Sequence, residues 1–262
     1  ELESEGKEVV DLSVGEPDFA TPEHIREEAK ASLDRGETGY TQSAGIPDLR
    51  EAIAHKLREK NGLRVDRDEV VVTPGGKQAL YETIMSLVRE GDEVVLLDPA
   101  WVSYEAMVKM AGGELNRITL DPSTGFTVGD VDLAEHVSDE TRLMIVNTPS
   151  NPTGAVFSED ELEEIRDLAV DHDFWVISDE IYEEILYGAE HHSLGAMDGM
   201  GGRTITVNGF SKSYAMTGWR LGYFVAPEEL REQSMKVHSH SVSCATSFAQ
   251  RGAVAAIDGP QE

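Results

Sequence analysis

Side chains able to do chemistry recur in this sequence just after short apolar runs. Asn151 lies in Ser150-Asn151-Pro152-Thr153-Gly154, and Asp179 and Tyr182 lie in Ser178-Asp179-Glu180-Ile181-Tyr182. Lys212 closes Asn208-Gly209-Phe210-Ser211-Lys212, and Arg220 sits in Gly218-Trp219-Arg220-Leu221-Gly222. An amide, a carboxylate, a phenol, an amine and a guanidinium are the groups from which acid–base, nucleophilic and anion-binding sites are assembled. Each alone reads as something ordinary: a proline turn, a strand-end carboxylate, a surface lysine, a surface arginine. Their recurrence on successive loops is what points to one site. Pro74-Gly75-Gly76-Lys77 adds a glycine-rich turn ahead of a helix, where free N–H groups and a positive dipole end suit an anion. It lacks the GxxxxGK[ST] spacing of a Walker A loop.

The elements that must position these groups alternate between strand and helix. Apolar, β-branched runs predict strands over 69–73, 93–97, 142–146, 174–178, 203–207 and 221–225. Helices are expected from Thr21-Pro22 to a stop at Gly36, over 47–60 with a stop at Asn61-Gly62, over 77–89, and over 159–172. Ser158 with the acidic run 159–164 marks the last helix's N-terminus. Continuous apolar strands suit a mainly parallel sheet covered by helices on both faces, and the alternation gives the same α/β class. In such sheets ligands lie beyond the strands' carboxyl ends, where all five groups fall.

Composition excludes several alternatives. The chain has 262 residues and a formal charge of −28, from 50 Asp and Glu against 22 Lys and Arg. That charge repels nucleic acid and anionic lipid, so neither is expected as a partner. It also suggests adaptation to a salt-rich cytoplasm, where counterions screen carboxylate repulsion. A single cysteine, Cys244, rules out an internal disulfide framework and a cysteine-built zinc site. No apolar run approaches the roughly 20 residues of a membrane helix. The acidic N-terminus is unlike a signal peptide, so a soluble, cytoplasmic domain is expected. His191-His192 and His238-Ser239-His240 lack companions at zinc spacings; they read as a solvated loop pair and a helix-terminal pair, and no metal is expected.

Val14-Gly15-Glu16-Pro17-Asp18-Phe19, Gly75-Gly76-Lys77-Gln78-Ala79-Leu80, Trp101-Val102-Ser103-Tyr104 and the four motifs quoted first occur in that order. Together they resemble the class I/II pyridoxal-phosphate aminotransferases of fold type I, in particular the aspartate/aromatic subgroup of bacteria and archaea. The resemblance runs from residue 14 to about residue 260. It implies a pyridoxal 5′-phosphate cofactor and transfer of an amino group from an amino acid to a 2-oxo acid by a ping-pong route. Lys212 matches the lysine that forms the Schiff base, and Asp179 the carboxylate that keeps the ring nitrogen protonated. Tyr182 and Asn151 match contacts to the ring hydroxyl oxygen, Trp101 the aromatic stacked on the ring, and Arg220 with Gly76 and Lys77 the phosphate site. Gly15, Trp101 and Asn151 are implied on the substrate side. Tyr40 resembles a tyrosine that reaches the neighbouring subunit's phosphate, which implies a homodimer.

Two departures accompany the match. Gly209 stands where many relatives carry a phosphate-binding serine three residues before the lysine, leaving Ser211 as the nearest hydroxyl. The family's arginine for the substrate carboxylate belongs to a C-terminal small domain, expected beyond Glu262. The chain is accordingly expected to lack material at both ends, with residues 1–38 an arm on the substrate side and 39–262 the large cofactor-binding domain. The same cofactor residues are compatible with a carbon–sulfur β-lyase, a non-catalytic regulator that keeps the domain, or an inactive fragment. An aspartate-like amino donor leads the substrate expectation.

Overall fold

The computed structural model describes residues 2–10 and 15–261. Val14, which opens one motif above, lies outside them. Among the described residues the strands are β1 (Val70–Thr73), β2 (Glu93–Asp98), β3 (Glu114–Thr119), β4 (Thr141–Asn147), β5 (Trp175–Asp179), β6 (Thr204–Gly209) and β7 (Gly222–Val225). They form one sheet in the order β1-β7-β6-β5-β4-β2-β3. The five strands from β6 to β3 run parallel, while β7 is antiparallel to both its neighbours. The predicted mainly parallel α/β sheet is therefore present.

Period-2 burial explains why whole strands are apolar. On β4, Leu143 and Ile145 join a core with Ala79, Leu80 and Ile84 on one face, while Met144 and Val146 join Leu162 and Ile165 on the other. The first face is covered by α3 (Gly76–Leu87), α4 (Val102–Ala111) and α6 (Glu228–Ser241). The second is covered by α5 (Glu159–Asp171) at one end and by α1 (Glu23–Asp34), α2 (Pro47–Asn61) and α7 (Ser247–Asp258) at the other. On α2, Leu49, Ile53 and Leu57 recur every fourth residue and are fully buried, each stabilising the fold by about 1.5–3 kcal/mol.

Local chemistry sets the helix ends. Pro47 begins α2 and Gly62, at φ 71°, ends it. Ser158 and Glu161 form a capping box at the start of α5, as the acidic run suggested. The expected Thr21 cap is not made. Its hydroxyl instead donates to the Ala215 carbonyl (2.5 Å) and accepts from Trp219 Nε1 (3.0 Å), tying the chain before α1 to the loop between β6 and β7. Strand β3 was not anticipated. It is a sheet edge whose Glu114, Asn116 and Arg117 keep partial exposure, so it carries no apolar run.

Candidate active site

Five strand ends and one strand beginning meet at one edge of the sheet. Asp179 ends β5, Asn151 follows β4, Trp101 follows β2, Lys212 follows β6, and Gly75-Gly76 leads from β1 into α3. Because β7 is antiparallel, its start lies at this same edge and delivers Arg220. All of these residues except Gly75 line one cavity of about 390 Å³ together with Gly15, Glu16, Lys77, Tyr104, Asn147, Tyr182, Ser211 and Thr217. Of the residues singled out in the sequence, only Tyr40 stands apart. It is 92% exposed and outside the cavity.

Asp179 is buried, and desolvation pushes its carboxyl up to about 6 despite two donors that favour the charged form. Those donors are the Tyr104 hydroxyl on Oδ2 (2.7 Å) and the Ile181 backbone N–H on Oδ1 (3.3 Å), while the neighbouring Glu180 charge acts in the raising direction. The turn after β5 brings Tyr182 to the same cavity, where its hydroxyl accepts from Asn151 Nδ2 (3.3 Å). Burial and the Asp179 charge raise the Tyr182 phenol, and the Asn151 bond opposes them. Asn147 organises both loops. Its Oδ1 accepts from the Asn151 backbone (2.8 Å), and its Nδ2 donates to the Asp179 carbonyl (3.0 Å).

The Lys212 ammonium donates to the Gly15 carbonyl, and Thr217 donates to Glu16. Burial pulls the Lys212 amine below its ordinary value, the Glu16 charge opposes this, and Arg220 adds to it. A lysine so placed has more of its neutral, nucleophilic form at neutral pH. Lys77 Nζ lies 4.8 Å from the Trp101 ring centroid.

The other end of the cavity is arranged for an anion. Arg220, at φ 54°, donates from Nη1 to the Thr217 carbonyl (2.8 Å), with its Nη2 against Gly75 at the N-terminus of α3. A Cβ on Gly75, whose φ is 88°, would come within 2.6 Å of that nitrogen. A guanidinium against the positive end of a helix is poorly placed unless an anion joins them. Gly222 and Gly209 are also needed bare. A Cβ on Gly222 would enter the Gly75-Gly76 backbone, and one on Gly209 would come within 3.0 Å of Gly222 Cα and the Leu221 carbonyl. A side chain at 209 would therefore have to displace the start of β7.

Tyr104, Asn147, Glu16 and Thr217 carried no expected role, although Glu16 and Tyr104 stand inside quoted motifs. One histidine departs from the expectation. His191 is no solvated loop residue: its side chain is 9% exposed and Nε2 lies 3.2 Å from the fully buried Glu180. His238 is at the end of α6 as expected but has no exposure. Ligand atoms of Glu180, Glu183 and His191 lie within 4.8 Å of one another, yet Lys56 and Asn61 already donate to these carboxylates.

The family model for aminotransferase class I and II matches residues 7–262. The chain belongs to that family. It is 45% identical, over its whole length, to an aspartate aminotransferase of Musicola paradisiaca, covering 66% of that protein. It is 44% identical to an aspartate/prephenate aminotransferase of Thermus thermophilus, over 98% of this chain and 66% of the relative. The solved aspartate aminotransferase of Thermus thermophilus with maleate superposes at a TM-score of 0.94 with 44% identity, covering 98% of this chain and 66% of that one. The aromatic aminotransferase of Pyrococcus horikoshii gives 0.93 at 44% identity, over 96% and 68%. The chain thus spans about two thirds of the length of the curated relatives it matches.

Class I and II aminotransferases depend on pyridoxal phosphate, and the cavity fits that group. Gly75 lets the Arg220 guanidinium lie against the N-terminus of α3, a pairing suited to a phosphate, and a lysine, a carboxylate and an aromatic ring line the same cavity. Arg220 with the N-terminus of α3 would hold the phosphate, Trp101 a ring face, Asp179 the ring nitrogen, Tyr182 and Asn151 the ring oxygen, and Lys212 the aldehyde.

Proposed function

We propose that the protein is a pyridoxal-phosphate-dependent aminotransferase acting on an aspartate-like amino donor and a 2-oxo acid. The observation that carries this reading is the convergence of Lys212, Asp179, Tyr182, Asn151 and Arg220 on one cavity. When bound, pyridoxal phosphate supplies an aldehyde for amines and a ring that withdraws electrons from the carbon bearing the amine. Lys212 would hold that aldehyde through its Nζ. The same Nζ, its basicity lowered by burial, would serve as base for the proton on the substrate α-carbon. Asp179 holds a proton on the ring nitrogen by ion pairing, and Tyr182 and Asn151 favour the charged ring oxygen. Arg220 fixes the phosphate and with it the orientation of everything else. Gly15 and Glu16, tied to Lys212 and Thr217, bring the N-terminal segment to the mouth of the cavity.

Relatives named for aspartate support an acidic donor. Exposed Tyr40 suits a homodimer in which it reaches the neighbouring copy's site. Residues 1–38 are read as an arm over the substrate, with a small domain after residue 262 completing the carboxylate site. A charge of −28 suits a salt-rich cytoplasm, where thermal unfolding should shift upward in molar salt. Among the described residues no helix is long and apolar enough to cross a membrane.

The deciding experiment is a donor screen with 2-oxoglutarate as acceptor, run beside borohydride reduction and peptide mass analysis. Glutamate formed from aspartate, with the cofactor fixed on the peptide carrying Lys212, is the expected result. Pyruvate and free thiol from a cysteine-type substrate would identify a lyase instead. A Lys212→Ala protein that still captured the cofactor covalently would remove Lys212 from its role.

A further inference from the structure

Tyr104 is 2% exposed, sits on α4 and reaches across the sheet edge to Asp179, 75 residues away in the chain. Packing alone would be served as well by phenylalanine, since a buried hydroxyl without a partner costs free energy. The hydroxyl's partner is Asp179 Oδ2 at 2.7 Å, a length expected of an O–H donating to a charged carboxylate. The ring of Tyr104 meets the Trp101 ring edge-on, with centroids 5.4 Å apart and planes at 82°. One side chain therefore touches both the carboxylate and the aromatic assigned to the cofactor ring, and itself lines the cavity. Asp179's other oxygen takes only the longer Ile181 N–H bond, so the Tyr104 bond is the main constraint on how this carboxylate is turned.

We propose that Tyr104 is a positioning residue for the cofactor: its hydroxyl keeps the Asp179 carboxylate charged and turned into the cavity, while its ring sets the tilt of Trp101. The proposal rests on the pyridoxal-phosphate reading above. It predicts that the hydroxyl matters only through Asp179. Burial favours the neutral acid at this position, and the Tyr104 bond is the largest influence opposing it.

The test is a double-mutant cycle on the cofactor dissociation constant, measured by absorbance and tryptophan quenching for wild type, Tyr104→Phe, Asp179→Asn and the double variant from pH 5 to 9. Loss of a hydrogen bond to a charged group should weaken pyridoxal phosphate about tenfold or more in Tyr104→Phe. The midpoint of the acid-side loss of affinity should rise by about one pH unit, because one unit corresponds to tenfold. In the Asp179→Asn background the same change should alter affinity less than about twofold. A Tyr104→Phe protein with wild-type affinity and midpoint overturns the proposal, and so does an equal loss in both backgrounds, which is what simple packing would give. Near-ultraviolet circular dichroism and urea midpoints confirm that each variant is folded. Failure of the wild type to bind pyridoxal phosphate would instead sink the reading beneath, and is recognised before any variant is compared.

Discussion

The carboxylate of Glu82 and the imidazole of His238 face each other at 3.0 Å with neither side chain exposed. Glu82 is on α3, whose N-terminus forms the anion end of the cavity, and His238 is on α6. The second imidazole nitrogen lies 2.9 Å from the Ser43 carbonyl, on the loop that carries Tyr40. Gln78 donates to the same carboxylate (2.8 Å). Removing one partner strands the other in the core, so Glu82→Ala or His238→Leu should cost about 3 kcal/mol or more. Urea unfolding measures this directly, and a midpoint within experimental error of wild type would show that the pair contributes nothing.

Asp179 should make the cofactor-free protein less stable as pH rises. Its folded value, about 6, lies above the ordinary 3.8, so the native state holds the extra proton between those values. Stability then declines as pH climbs through that window and stays lower above it, by up to about 3 kcal/mol. Asp179→Asn should accordingly unfold at higher urea than wild type at pH 7.5, with the two curves converging near pH 4. Its transaminase turnover should nonetheless collapse by several orders of magnitude. Higher stability with lost activity separates a functional carboxylate from a structural one.

Gly75 offers a test of the anion end. Gly75→Ala puts a methyl 2.6 Å from Arg220 Nη2 and forces an L residue to φ 88°. The left-handed backbone costs about 1–2 kcal/mol, and the displaced guanidinium should weaken cofactor binding at least tenfold. Pyridoxal, which lacks the phosphate, should bind glycine and alanine forms almost equally. Titration with both compounds checks this.

Lys56 is the cation of a buried cluster behind the site. Burial would raise the Glu183 carboxyl, but Lys56, Asn61 and His191 together hold it below its ordinary value. Its stabilising effect is therefore present above about pH 4.5 and lost as pH falls through the depressed value. Lys56→Met should lower stability by about 3 kcal/mol at pH 7, with the gap to wild type narrowing in acid. A gap that is constant with pH, followed by urea unfolding, would count against the ion pair as its source.

How far the sequence revealed the site depended on whether a residue's role is written in its own neighbourhood. Strands β4 and β5 carry continuous apolar runs, 143–146 and 175–177, because both faces are covered, so they were legible; edge strand β3 carries only scattered apolar residues and was not. Asp179 ends such a strand, Lys212 follows one and Arg220 precedes one, and all three stand out by type. Tyr104 and Asn147 act through residues brought near only by the sheet, and nothing local distinguishes them from a core aromatic or a turn amide. His191 was read as solvated because two adjacent polar letters do not disclose the buried carboxylate that receives one of them.

The reversed direction of β7 has a temporal side. The sheet edge that grips the anion pairs residues 70–73 with residues 222–225, and Arg220 arrives with the later segment. A nascent chain emerging from the ribosome would already expose most of the parallel strands before that grip existed. Pairings so distant in the chain form late, because the intervening polypeptide must be ordered first. Vitamin capture should then follow closure of the sheet and report that the last strand has been threaded between β1 and β6.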